Sequence, residues 1–208
     1  MGRPAVADRG ALTYARLRLL RDLRPHVEQA YRTIADAETT ATWAYRSSLQ
    51  DGVAAAIAAG EVPEQDALVE AMMTSMMQRR GEEQQRGLSL VGPHRDDIVL
   101  TLGDLPAKGY ASHGESWSLA LALRLASFHL LRQDVGTDPV LVLDDVFAEL
   151  DSGRRQRLAE LIAGCEQVLV TAAVAQDVPD GLVSLASGAV YDVTPGAVVR
   201  REPVEEGG

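Results

Sequence analysis

The sequence has 208 residues, 46% hydrophobic and 24% charged, enough to bury a core as one large domain or two small lobes and arguing against wholesale disorder. Its net charge of −10 argues against a uniformly basic nucleic-acid binder, and the single Cys165 excludes an intramolecular disulfide or a multi-cysteine metal cluster. No apolar run reaches the ~18 residues of a membrane helix, and the start MGRPAVADRG has no apolar signal segment, so a cytoplasmic protein with no membrane partner is expected.

The charge is unevenly spread. Residues 1–32 carry seven Arg against three acids, whereas residues 133–208 carry five basic against fourteen acidic residues. A basic leading segment on an acidic body can still meet a phosphate backbone.

In chain order, Leu12, Leu17, Leu20, Val27, Tyr31 and Ile34 recur at helical spacing and predict a helix over 11–35, with a kink or break near Arg24 caused by Pro25. Alternation around Trp43 and Tyr45 predicts a strand over 42–49. Residues 52–60 fit a short helix or a loop. Pro63 is placed to begin a helix reaching about Arg86, on which the stripe Met72, Met73, Met76 and Met77 reads as core packing. Gly92-Pro93 breaks the chain before a strand over 98–102, a turn at Gly103-Asp104 and a short second strand. Residues 115–132 form the clearest helix, apolar on most faces and therefore buried. Pro139–Leu143 has the pattern of a parallel strand covered on both faces. A helix N-capped by Ser152 follows over 152–163, then a buried strand over 168–170 and two or three short strands towards Arg201.

The strongest chemical signal is Leu141-Val142-Leu143-Asp144-Asp145-Val146-Phe147-Ala148-Glu149-Leu150-Asp151. A buried strand ending in two carboxylates must present them at its carboxyl end, where α/β sheets place ligands. Adjacent carboxylates repel unless a cation or an attacking water lies between them. Phosphoryl-transfer enzymes use one such Asp to hold Mg²⁺ and a neighbouring acid to polarise water; a solvated turn is the plain alternative. The second signal is Ala111-Ser112-His113-Gly114-Glu115-Ser116-Trp117, just before the buried helix. Backbone N–H groups and the helix dipole make an anion site there, to which Ser112 adds a hydroxyl, although an ordinary capping turn explains the residues as well.

An anion loop, a helix, a strand ending in Asp-Asp, then Glu-Leu-Asp and another helix is the order of the second half of an ABC-type ATPase. The loop resembles the signature motif, Leu141–Asp144 the Walker B strand and Glu149–Asp151 the D-loop. Within that superfamily, Val91-Gly92-Pro93-His94-Arg95-Asp96-Asp97, the Ala111–Ser116 loop and Leu143–Asp151 resemble the RecF family of bacterial DNA replication and repair ATPases. The resemblance extends upstream to Leu23–Val27 and Tyr45–Ser48, and so covers nearly the whole chain.

This resemblance implies an α/β fold. Residues 91–201 would be the C-terminal lobe of an ABC-type ATPase head, with buried parallel strands and flanking helices, residues 1–90 part of a helical lateral domain, and 202–208 a disordered acidic tail. It implies Asp144 as Mg²⁺ support and Asp145 as the catalytic, water-activating acid. Ser112, Gly114 and Glu115 would face nucleotide held by a second RecF-type chain. Asp151 falls in the D-loop, Thr171 at the switch position, and Arg95 near DNA or nucleotide. The family function implied is ATP-dependent binding to gapped or double-stranded DNA in replication, repair, recombination and the SOS response, with RecO and RecR as partners. No G-x-x-x-x-G-K-[ST] occurs in the 208 residues. The resemblance is thus to the C-terminal portion, and ATP and Mg²⁺ are expected only with a lobe that carries a Walker A loop.

The competing reading is a non-hydrolytic DNA or protein interaction module. Arg16, Arg18, Arg21 and Arg24 can contact phosphates without reading bases, or simply form a solvated helix face. Arg95 has an internal ion pair with its acidic neighbours as its alternative. A serine hydrolase is excluded, because Gly114-Glu115-Ser116-Trp117-Ser118 lacks the last glycine of the nucleophile elbow and no histidine follows Asp144. Four scattered histidines and one cysteine exclude a zinc site.

Overall fold

The structure is a computed structural model describing residues 3–35, 38–179, 181–185 and 188–201; the acidic tail expected over 202–208 lies outside the described residues. The chain folds as two compact units, residues 1–130 and 131–208. The boundary at 90/91 suggested by the motifs lies inside the first of them.

The first unit holds α1 (Arg3–Ala35), β1 (Ala41–Arg46), α2 (Asp51–Ala58), α3 (Gln65–Arg86), β2 (Asp97–Leu102), β3 (Leu105–Pro106), the distorted single turn α4 (Ala107–Tyr110) and most of α5 (His113–Val135). The break expected at Pro25 does not occur. Val27, Ala30, Tyr31 and Ile34 beyond it are buried, and their burial outweighs one lost helix hydrogen bond. β1 and β2 pair antiparallel from Ala41↔Leu102 to Arg46↔Asp97, which turns Ala41, Trp43 and Tyr45 inward. Val6, Leu17, Tyr45, Leu49, Ile57, Leu68, Met72 and Val91 form one hydrophobic cluster, with Met73 and Met76 packed against it. Met77 departs from the expected core stripe and is 67% exposed; helical geometry turns it about 140° away from Met72. α5 is likewise one-sided: Leu119, Leu121, Ala122, Leu125, Ala126 and Phe128 are buried, while Ser116, Ala120 and Arg124 form an exposed stripe.

The second unit holds β4 (Leu141–Asp144), a 3₁₀ turn (Val146–Glu149), α6 (Ser152–Ile162), β5 (Val168–Thr171), a second 3₁₀ turn (Ala175–Asp177), α7 (Leu182–Leu185) and the hairpin β6 (Tyr191–Thr194) and β7 (Ala197–Arg200). β4 and β5 pair in parallel, from Leu141↔Val168 to Asp144↔Thr171, with α6 as the crossover. The two-faced burial expected for β4 is corrected here. Leu141 and Leu143 are buried, whereas Val142 and, on β5, Leu169 are 59% and 51% exposed. One crossover helix covers one face of a two-stranded parallel pair. The cap of α6 is Asp151 rather than Ser152: its Oδ1 accepts from the Arg154 N–H at 2.9 Å, the geometry of an N-cap. Among the described residues no helix is long and apolar enough to cross a membrane.

Gly10 marks the close approach of α1 to α3, because a methyl placed on it would overlap the Val69 side chain. Gly10→Ala adds helix propensity of about 1 kcal/mol but overpacks the contact by about 1–3 kcal/mol. A net loss of about 1 kcal/mol is therefore expected in urea unfolding, recovered by a second substitution, Val69→Ala. A stabilised Gly10→Ala variant would contradict the close contact.

Candidate functional site

The parallel register of β4 and β5 sets Asp144 directly beside Thr171. The Thr171 hydroxyl donates to Asp144 Oδ1 at 2.5 Å. The Asp145 N–H donates both to Thr171 Oγ1 at 3.1 Å and to the Thr171 carbonyl at 3.2 Å. Asp145 has φ 52° and ψ 24°, the one non-glycine residue at positive φ among the described residues. That conformation costs a side-chain-bearing residue on the order of 1 kcal/mol, less for Asp than for most. It reverses the chain so that Phe147 and Leu150 enter the interior while both carboxylates stay exposed. Two acids and a hydroxyl therefore share the carboxyl ends of two parallel strands.

Among the described residues no group of three His, Cys, Asp or Glu could hold a metal ion. The donor set suits Mg²⁺ nonetheless. That ion is commonly held by one or two carboxylates together with substrate phosphates and waters, and Asp144 offers one carboxylate with a single oxygen engaged by Thr171.

Asp151 lies further along and serves α6. Its Oδ2 also pairs with Arg154 at 2.7 Å. The Arg154 backbone N–H, and then the Arg154 charge, hold the Asp151 carboxyl below its ordinary value. The cap's contribution is thus full above the ordinary carboxylate range and is lost as pH falls through the lowered folded value. Arg155, which the sequence did not single out, ties this segment to the chain beyond β5. It donates to the Leu150 and Gln176 carbonyls and pairs with Asp177 at 3.0 Å.

Ser112, Gly114 and Glu115 lie in the first unit, where Ser112 and Glu115 form a capping box at the start of α5. The Ser112 Oγ accepts from the Glu115 N–H at 3.3 Å, and Glu115 Oε2 accepts from the Ser112 N–H at 2.8 Å and its hydroxyl at 2.7 Å. The Ser112 hydroxyl proton is therefore committed to Glu115 in this conformation.

Arg95 forms no ion pair with its acidic neighbours. Its Nε donates to the Ser89 carbonyl at 2.6 Å, and the side chain is exposed. Those acids serve β1 instead: Asp96 accepts from the Tyr45 hydroxyl and the Ser48 N–H, each at 2.7 Å, and Asp97 pairs with Arg46 at 2.7 Å. Burial first, and then the hydrogen bond it donates to the Asp96 carboxylate, push the Tyr45 phenol well above its ordinary value. Arg16 and Arg24, two candidate phosphate contacts, donate to the carbonyls of Pro93 at 2.6 Å and Trp43 at 3.0 Å. Arg18 lies over the Tyr14 ring at 5.9 Å, and Arg21 pairs with Asp22 at 2.9 Å.

The left-handed turn at Asp145 carries a measurable signature. Glycine tolerates positive φ and alanine does not, so Asp145→Gly should be more stable than Asp145→Ala by about 1 kcal/mol in urea unfolding, with Asp145→Asn between them. The reverse order would place Asp145 in an ordinary conformation.

No family model matches the chain. It is 56% identical over 203 residues to the DNA replication and repair protein RecF of Kineococcus radiotolerans, which covers 94% of this chain and 51% of that protein. It is 55% identical to the RecF of Beutenbergia cavernae, again over 94% of this chain and 51% of the relative, and 52% identical to that of Nocardioides sp., over 95% and 46%. Two solved structures of the recombination mediator protein RecF in the RecFOR pathway, one with ATPrS and one with ATP, align with TM-score 0.73 at 21% identity. They cover 95–96% of this chain and 48–49% of theirs. The fold is therefore that of the matched part of RecF, an ABC-type ATPase fold. The chain spans about half the length of the curated relatives it matches, and over nearly its whole length it is similar to one portion of the RecF proteins.

Proposed function

We propose that this chain supplies the signature and Walker B part of a RecF-type ATPase that acts on DNA in replication, repair and recombination. The observation that carries the reading is the cluster of Asp144, Asp145 and Thr171 at the ends of two parallel strands, in a chain more than half identical to proteins named for DNA replication and repair. ATP and Mg²⁺ would be the cofactors, completed by a segment bearing a Walker A loop. Asp144 would hold the cation, whose role is to neutralise charge on the transferred phosphate, and Asp145 would orient the attacking water. In this proposal Ser112 and Gly114 meet the nucleotide of a second RecF-type chain. Donation to phosphate requires the Ser112 hydroxyl to leave Glu115, whose charge would turn away from the nucleotide. Asp151 is the D-loop acid, and the exposed Arg95 is a DNA or nucleotide contact. Gapped or double-stranded DNA, RecO and RecR are the proposed partners, in the cytoplasm and in the SOS response. Residues 91–201 are proposed as the C-terminal ATPase lobe and 1–90 as part of the lateral domain. A purely non-hydrolytic DNA module draws less support, since Arg16 and Arg24 are spent on backbone carbonyls.

The 208-residue chain alone is expected neither to bind labelled ATP tightly with Mg²⁺ nor to hydrolyse it. Co-expression with a Walker A-bearing segment of a RecF relative should restore DNA-stimulated hydrolysis. Ser112→Arg should abolish that rate while sparing assembly of the two parts. Asp145→Asn should keep ATP-dependent dimerisation and lower hydrolysis by about a hundredfold or more. Micromolar ATP affinity of the lone chain with turnover lost in Asp145→Ala, or a reconstituted rate unaffected by Ser112→Arg, would overturn the respective assignment.

A further inference from the structure

We infer that Thr171 is the positioning residue for both acids of the Walker B strand, and not a switch that senses phosphate. Its importance for hydrolysis rests on the ATPase reading above; its geometry does not. A threonine hydroxyl has one proton to give and lone pairs to receive. In Thr171 the proton goes to Asp144 Oδ1 at 2.5 Å, while the same oxygen accepts the Asp145 N–H at 3.1 Å. The Thr171 carbonyl shares that N–H at 3.2 Å. One residue thus fixes the orientation of the first carboxylate and grips the amide at which the chain enters its left-handed turn, φ 52°.

The side-chain chemistry matches these two tasks. A β-branched residue in a strand is stiff at χ1, so one rotamer delivers both contacts at once. The hydrogen bond to a carboxylate is charge-assisted and among the strong ones. A hydroxyl committed this way has no proton for a phosphate unless it releases Asp144, which would disorder the group that the reaction needs most. It also leaves Asp144 with one oxygen engaged and the other available, so that Asp144 could still help to hold a cation. The strand register supplies the rest, because Asp144 and Thr171 are cross-strand partners. The assignment needs no movement of the backbone.

Single-residue hydrogen exchange on the full 208-residue chain tests this without ATP. Thr171→Val keeps the shape and removes the hydroxyl; it should speed exchange of the Asp145 amide about five- to tenfold, the range one hydrogen bond supplies. Thr171→Ser keeps the hydroxyl and should remain within about twofold of the native rate. The amides of α6, in the same unit, serve as the reference for any general loosening. An Asp145 amide unchanged in Thr171→Val, or equally fast in the Ser and Val variants, overturns the assignment. In the reconstituted assembly Thr171→Val should lower kcat and leave the KM for ATP unchanged, with Thr171→Ser restoring kcat. A raised KM at constant kcat would instead support the switch role, and this arm decides the matter should Thr171→Val fold poorly alone. If the native assembly proves inactive, the ATPase reading fails while the exchange result still stands or falls by itself.

Discussion

The register of β4 against β5 is the constraint on which the acidic site depends. A shift of one residue would exchange the inward Leu141 and Leu143 for Val142 and Asp144, burying a carboxylate without a partner, which proteins avoid at a cost of several kcal/mol. With the observed register, Asp144 falls opposite Thr171 and Asp145 becomes the first residue past the pair. The turn after the strand must then be abrupt, because Phe147 and Leu150 have to return to the interior at once. Left-handed Asp145 supplies the reversal, and the doubly accepted amide offsets its conformational cost. The acids are exposed because the hydrophobic residues on either side of them are not.

In the first unit the same economy explains a different pair of motifs. Tyr45-Arg46-Ser47-Ser48 and Val91–Asp97 are distant in sequence, yet they form one hydrogen-bonded junction. Tyr45 and Ser48 hold Asp96, Arg46 holds Asp97, and the Ser48 hydroxyl receives the Gly92 N–H at 2.9 Å. Gly92 sits at φ 132° with His94 and Arg9 close by, so a side chain there would be both strained and crowded. Arg9 and Arg16 reach from α1 to the carbonyls of Val91 and Pro93. The loop that shows Arg95 to solvent is consequently anchored on α1, on β1 and on Ser48 just beyond β1, which makes its presentation rigid rather than incidental.

What could be read from the sequence follows the range of the interaction involved. The helix read over 115–132 and observed over 113–135, and the strand ending in Asp144, are local patterns that spacing identified, while the capping turn at 112–115 stood in the sequence as the plain alternative to an anion loop. The cap of α6 missed by one residue because Asp151 and Ser152 are both good caps, and only the extended backbone at Asp151 separates them. Burial of β4 on both faces was inferred from an apolar run, but alternation of faces leaves the outcome to whatever neighbours the strand acquires. The grip of Thr171 on two acids depends on parallel pairing between segments 26 and 27 residues apart, and no periodicity encodes that.

Basic composition alone does not say what an arginine does, because a guanidinium can serve the fold as well as a polyanion. The leading segment, with seven arginines among residues 1–32, looks electrostatically suited to phosphate. Yet three of its guanidinium groups, on Arg9, Arg16 and Arg24, donate to backbone carbonyls of the same unit. A carbonyl does not neutralise a guanidinium, so the long-range field survives and can still steer a polyanion. What is lost is the planar fork, because an arginine already donating in a partly buried contact must give that contact up to clamp a phosphate. The segment therefore contributes attraction at a distance more than grip at contact. Arg95, by contrast, is exposed on an anchored loop and donates from Nε to the Ser89 carbonyl.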